Sequence, residues 1–315
     1  MVIAMSIVSV IIAVVIPIAL AAFTTRRFKV SWNIILYGAM AFIVAYFINL
    51  FVSNQLATLI NSGNYPWMDT GWFSILYPIL IGLMTGLLEQ GANWLAFRIS
   101  GNLGKSWGSA LGLGLGHGGM ESIYAVGIPL MLTVIQVLSL QANGIASLNL
   151  SAADATALQE SLNSFYATPW HLPLAVGVDR LLALVIQVTA AVLTWLAFRK
   201  RGWYWFAAAV GLQMVATATG MLITYTSTSV WAAEGIIFLI AAASAYILYL
   251  VKTRIVDKTP ELLVVSPAPE KPPDKPVMEG KSELVPSAPL TTKEPKAEKV
   301  LTKKSTSKKP AAKKK

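Results

Sequence analysis

Within otherwise apolar stretches the sequence carries Glu89, His117, Glu121 and the adjacent pair Asp179 and Arg180, with Gln187 seven residues further on. A carboxylate and an imidazole that meet in a low-dielectric cavity can activate a water. The glutamate serves as general base, and the histidine orients the water or passes a proton. Burial makes a carboxylate the stronger base, because it penalises the charged form. Glu89 and His117 equally fit an interhelical hydrogen bond without chemistry. Histidine occurs only at positions 117 and 171, and cysteine is absent. Disulfide scaffolds, iron–sulfur clusters and thiolate zinc sites are thereby excluded, and few ligands remain for a histidine-rich metal centre.

These side chains need elements to carry them, and the composition says which kind. Of 315 residues, 55% are hydrophobic and 13% charged, against about 25% charged in a soluble domain. The net charge of +10 is uneven: residues 1–251 hold nine Lys/Arg and seven Asp/Glu, whereas residues 252–315 hold sixteen and eight. Crossing a bilayer takes about 20 apolar residues. Seven windows qualify, at 1–23, 32–52, 72–97, 107–140, 172–198, 203–225 and 230–251. The expected fold is an all-α polytopic membrane protein of about seven transmembrane helices. Residues 1–251 form the membrane domain, and residues 252–315 a disordered tail rich in Lys, Pro and Ala.

Basic residues occupy alternate connections: Arg26, Arg27 and Lys29; Arg98 and Lys105; Arg199, Lys200 and Arg201; and Lys252 onward. The positive-inside rule then places the N-terminus outside and the tail in the cytoplasm of a multi-pass cell-membrane protein. The window 107–140 is long for one straight crossing and rich in glycine, which predicts a tilted or broken helix there. Segment 141–171 predicts a short surface helix or lid, and His171 beside Trp170 predicts an interfacial position.

Depth along the helices groups the polar residues. Glu89 lies eight residues in from Phe97, His117 ten in from Trp107 and Gln187 eleven in from Phe198. At about 1.5 Å per residue, all three sit roughly 12–17 Å below one membrane edge and could share a site. Glu121 follows His117 by one turn on the same face, and Arg180 lies near its level, which predicts an ion pair of Arg180 with Glu121 or Asp179. Glu234, within a turn of the end of the seventh span, reads as a hydrated carboxylate.

The run Gly114-Leu115-Gly116-His117-Gly118-Gly119-Met120-Glu121 resembles the G-x-G-H-G-G-x-E signature of the YhfC-type intramembrane peptidases, relatives of the CAAX-processing and bacteriocin-processing membrane proteases. Where that family carries E-E-x-G-R-Y in the preceding span, this chain reads Glu89-Gln90-Gly91-Ala92-Asn93-Trp94. The family's Glu-Arg with a histidine seven residues on is similar to Asp179-Arg180 and Gln187. The resemblance implies that Glu89 and His117 form the water-activating pair and that position 187 helps hold an oxyanion or a metal. Gln90, Asn93, Gly118, Gly119, Glu121, Asp179 and Arg180 would support them. A zinc-dependent reading would have to use Glu89, His117 and Glu121, whereas a metal-free glutamic mechanism needs one base and one histidine.

Three functions fit these residues. The first is a peptidase cutting a hydrophobic or membrane-bound peptide near the cytoplasmic side, with a partly degenerate site. The second is an inactive protein of the same fold that binds a hydrophobic peptide or lipid. The third is a transporter or channel. The basic tail predicts attachment to anionic lipid headgroups. It lacks the interleaved aromatics of a nucleic-acid-binding segment.

Overall fold

The computed structural model describes residues 1–62, 71–200, 202–225 and 229–259. The expected disordered tail begins at Lys252, but Lys252–Val256 continue the last apolar helix as a π turn; from position 260 onward the tail lies outside the described residues. The described chain is all helical: α1 (Val2–Phe28), α2 (Trp32–Asn61), α3 (Gly71–Ser100), α4 (Trp107–Ser122), α5 (Ile128–Asn143), α6 (Ala152–Ala167), α7 (His171–Lys200), α8 (Trp203–Tyr225) and α9 (Val230–Val251). Seven helical stretches, with α4 and α5 counted as one, are long and apolar enough to cross a membrane. The protein is therefore an all-α, polytopic membrane protein.

The window 107–140 resolves as one irregular crossing. Between α4 and α5 the helix widens into a π turn over Ile123–Gly127. Pro129 accounts for the widening, since it has no N–H to return to the carbonyl of Ala125 and its ring crowds that oxygen. The segment that follows contains the expected surface helix, α6, none of whose residues is buried.

α7 is the central helix. It is buried almost continuously from Leu184 to Ala197 and packs against α1, α3, α4, α8 and α9. Lipid is as apolar as leucine, so close backbone approach and interhelical hydrogen bonds hold such a bundle together. Gly116 of α4 lies directly against the Ile35 carbonyl of α2, and Gly38 of α2 against the Leu113 carbonyl of α4. Any side chain at either position would part the two helices. Hydrogen bonds fix the other seams: Ser122 Oγ to the Ala13 carbonyl at 2.9 Å joins α4 to α1, and Asn49 Nδ2 to Thr85 Oγ1 at 2.8 Å joins α2 to α3. Trp195 Nε1 donates to the Gly104 carbonyl at 3.1 Å, pinning α7 to the turn that follows α3.

Candidate functional site

α3, α4 and α7 each deliver polar side chains to one buried cluster. The apolar sequences around them leave these groups no other way to be satisfied, since an unpaired polar group in a dry interior costs several kcal/mol. His117 is fully buried, and its Nδ1 lies 2.9 Å from Asn93 Oδ1. Asn93 Nδ2 donates to Gln90 Oε1 at 3.2 Å, and Thr194 Oγ1 donates to the same oxygen at 2.9 Å. That chain orients the Asn93 amide with its oxygen toward the imidazole, so Nδ1 carries a proton and donates it. Phe42 packs edge-on against the ring at 5.6 Å between centroids.

The other ring nitrogen is the notable one. His117 Nε2 has no hydrogen-bond partner and lies 3.6 Å from Glu89 Oε2. The two groups face each other at ion-pair distance without a hydrogen bond between them. Gln187 Nε2 closes the cluster from α7, donating to Glu89 Oε2 at 3.0 Å and to Glu121 Oε2 at 2.7 Å. Both amide hydrogens of Gln187 are thus committed to carboxylates. Arg180 Nη1 reaches Glu121 Oε1 at 3.4 Å, and the same guanidinium pairs with Asp179 Oδ2 through Nε and Nη2. The structure brings Glu89, His117 and Gln187 together and pairs Arg180 with both acids.

Gly118 and Gly119 work by absence of bulk. A Cβ at 118 would stand 2.8 Å from Gln187 Cβ, and one at 119 would stand 3.1 Å from Pro17 Cβ. His171 lies at the N-terminal end of α7, well away from the cluster, packed against Trp170 and Trp231.

The family model for the YhfC intramembrane metalloprotease matches residues 12–237. This chain belongs to the YhfC family. It is 24% identical over 190 residues to the uncharacterized membrane protein YhfC of Bacillus subtilis (strain 168), an alignment covering 60% of this chain and 72% of the relative. No solved structure matches it.

The family description implies a metal, and the donors present in this YhfC chain do not suit one. Structural and catalytic zinc sites take at least three protein ligands, usually rich in imidazole. Among the described residues no three His, Cys, Asp or Glu side chains come together in a way that could hold a metal ion. The set Glu89, His117 and Glu121, offered by the sequence as zinc ligands, fails for a visible reason: the Glu121 oxygens turn to Gln187 and Arg180. The position that could supply a second imidazole is Gln187, whose nitrogen faces the carboxylates.

Sequence reasoning missed Gln213 beside the cluster and read Glu234 as a hydrated carboxylate. Gln213 of α8 is buried, and Glu234 of α9 is half-buried rather than bathed in solvent. Each has a side-chain oxygen without a partner. A lone glutamine in an apolar span was the available signal for the first.

Proposed function

We propose that this YhfC-family chain is an intramembrane peptidase that hydrolyses a hydrophobic or membrane-bound peptide through a water activated by Glu89 and His117. The observation that carries the reading is His117 Nε2, buried and unpartnered, facing Glu89 Oε2 at 3.6 Å while Asn93 holds the opposite nitrogen. A histidine kept only for packing would have both nitrogens satisfied. The Asn93 bond does for this ring what a backbone or carboxylate acceptor does for a catalytic histidine, namely fix tautomer and orientation.

In this mechanism Glu89 takes a proton from water as the water oxygen bonds to the scissile carbonyl carbon. The carbonyl electron pair moves to oxygen, while His117 Nε2, the unprotonated nitrogen of this tautomer, accepts a hydrogen bond from the attacking water and orients it. Glu89 then delivers its proton to the amide nitrogen as the C–N bond breaks, and the products form as a carboxylic acid and an amine, the acid proton passing to the amine to leave a carboxylate and an ammonium. Gln187 holds Glu89 and Glu121 together across the helix seam, and Arg180 offsets the charge of Glu121 and Asp179. The lysine and arginine asymmetry supports an orientation with the N-terminus outside and the basic tail inside, where it meets anionic lipid headgroups.

The test is cleavage of membrane-anchored peptide libraries by the purified protein in liposomes, read by mass spectrometry. New termini should form with the unaltered chain and disappear with Glu89→Ala and with His117→Ala. Turnover that persists in both variants would remove the pair from the chemistry. A second reading, a non-catalytic binder of hydrophobic peptide, draws on the Gln187 amide, which already satisfies both carboxylates. It expects ligand binding without new termini.

A further inference from the structure

Beyond Gln187, residues of α4, α7, α8 and α9 line a partly open cavity of about 410 Å3. Its polar lining is Glu121, Asp179, Arg180, Gln187, Gln213 and Glu234. Three buried oxygens on residues of that lining have no hydrogen-bond partner: Gln187 Oε1, Gln213 Oε1 and Glu234 Oε2. All three are acceptors. Gln187 and Gln213 are 3% and 6% exposed, so neither reaches bulk water. The Gln187 amide cannot be reversed, because its oxygen would then face the two carboxylates that now take its hydrogens.

Charge points the same way. Three carboxylates and one guanidinium line the space, and Arg180 is occupied by Glu121 and Asp179. Glu234 is left without an ion-pair partner among the described residues. Water could satisfy the orphaned acceptors, but it would leave the surplus negative charge in a low-dielectric wall uncompensated. The occupant that meets both demands carries N–H donors and a positive charge.

We propose that this cavity is a substrate subsite for a primary ammonium group. Glu234 pairs with the ammonium, and the Gln187 and Gln213 oxygens accept N–H bonds from the chain that bears it. The proposal rests on the peptidase reading for its orientation, since Gln187 touches Glu89 and places the inner end of the cavity beside the reacting pair. Gln187 stands seven residues along α7 from Arg180, about 10 Å, and Glu234 lines the same cavity as Arg180. An extended peptide covers that distance in about three residues. Two sources share the chemistry, a lysine side chain and a free amino terminus about three positions from the cleaved bond.

The test uses the full-length chain in detergent micelles and follows thermal unfolding with n-butylammonium chloride, against equal ionic strength of sodium chloride. Butylammonium should raise the melting temperature saturably in the unaltered protein and equally in Glu89→Ala. Glu234→Gln should weaken the apparent affinity tenfold or more, and Gln213→Leu should weaken it less. No saturable shift, or an undiminished shift in Glu234→Gln, overturns the proposal. A larger shift with sodium or magnesium chloride than with butylammonium also overturns it, in favour of an inorganic cation site. Repeating the titration with N-acetyl-lysine methylamide and with glycinamide separates the two sources, and binding of either supports the subsite. An ammonium shift without any peptide cleavage leaves the subsite standing and the peptidase reading refuted. Cleavage with no preference for a basic group near the scissile bond refutes the subsite alone.

Discussion

Replacing Gly118 by alanine tests whether the contact of α4 with α7 sets the geometry of the cluster. The added Cβ would stand 2.8 Å from Gln187 Cβ and 3.0 Å from Leu184 Cδ1. Carbon atoms rest at about 3.5–4.0 Å, so the helices must part by about 0.7–1 Å. Gln187 Cβ is anchored to its backbone and cannot swing aside as a side-chain tip could. Overpacking of this kind costs about 1–3 kcal/mol, and alanine returns about 1 kcal/mol of helix propensity. The net loss of about 0–2 kcal/mol corresponds to a fall of a few degrees in melting temperature. The effect on chemistry should be larger. The Gln187 bonds to Glu89 and Glu121, now 3.0 and 2.7 Å, would stretch beyond useful length if α7 moves as a body. A displacement near 1 Å at a reacting centre costs about 10²-fold in rate. Two neighbouring glycines calibrate the result: a Cβ at Gly119 meets Pro17 Cβ at 3.1 Å, and one at Gly91 meets nothing within 4 Å. Melting followed by intrinsic fluorescence and cleavage of a membrane-anchored peptide should rank Gly118→Ala below Gly119→Ala, and both below Gly91→Ala. If Gly118→Ala matches Gly91→Ala in stability and rate, the close approach of the two helices does not govern the site.

Asn93→Leu leaves the buried Nδ1–H of His117 unpaired, at a cost of about 1–3 kcal/mol, and should reduce cleavage about 10–100-fold, as loss of an orienting partner does. An unchanged rate would mean that the ring is held by packing against Phe42 alone. Arg180→Met strips both Glu121 and Asp179 of their cation in a partly buried setting; the expected loss lies below the 3–5 kcal/mol of a fully buried pair, and a melting curve unmoved by this change would contradict the pairing. Gln187→His supplies a second imidazole opposite His117, so bound zinc per purified chain, measured by mass spectrometry of the metal, should rise from a low value toward one. Equal zinc in the unaltered protein would falsify the argument that its donors do not suit a metal.

Much of the site was legible in the sequence because position along a helix axis is arithmetic. A rise of about 1.5 Å per residue places Glu89, His117 and Gln187 at one depth before any packing is known. The i, i+4 spacing of His117 and Glu121, and the shared level of Glu121 and Arg180, likewise needed only counting. The irregularity between α4 and α5 was announced by Gly127 and Pro129. Azimuth was not legible. Every face of a membrane helix is apolar, so hydropathy does not say which neighbour a residue meets, and one residue's step of about 100° carries a side chain to a different partner. Gln90 and Asn93 illustrate this, since one turn of α3 separates Asn93, which holds His117, from Gln90, which serves only Asn93 and Thr194.

The sequence by itself determined that this chain spans a membrane many times and carries a glutamate and a histidine at matching depth, because hydrophobic length and helical rise are properties of single segments. Only the tertiary structure decided that Gln187 ties Glu89 to Glu121, that Asn93 leaves His117 Nε2 free, and that Gln213 and Glu234 share a cavity with Arg180. Those facts depend on which helices pack together and how each is turned. Glycine contacts and interhelical hydrogen bonds set both, through atoms far apart in the chain.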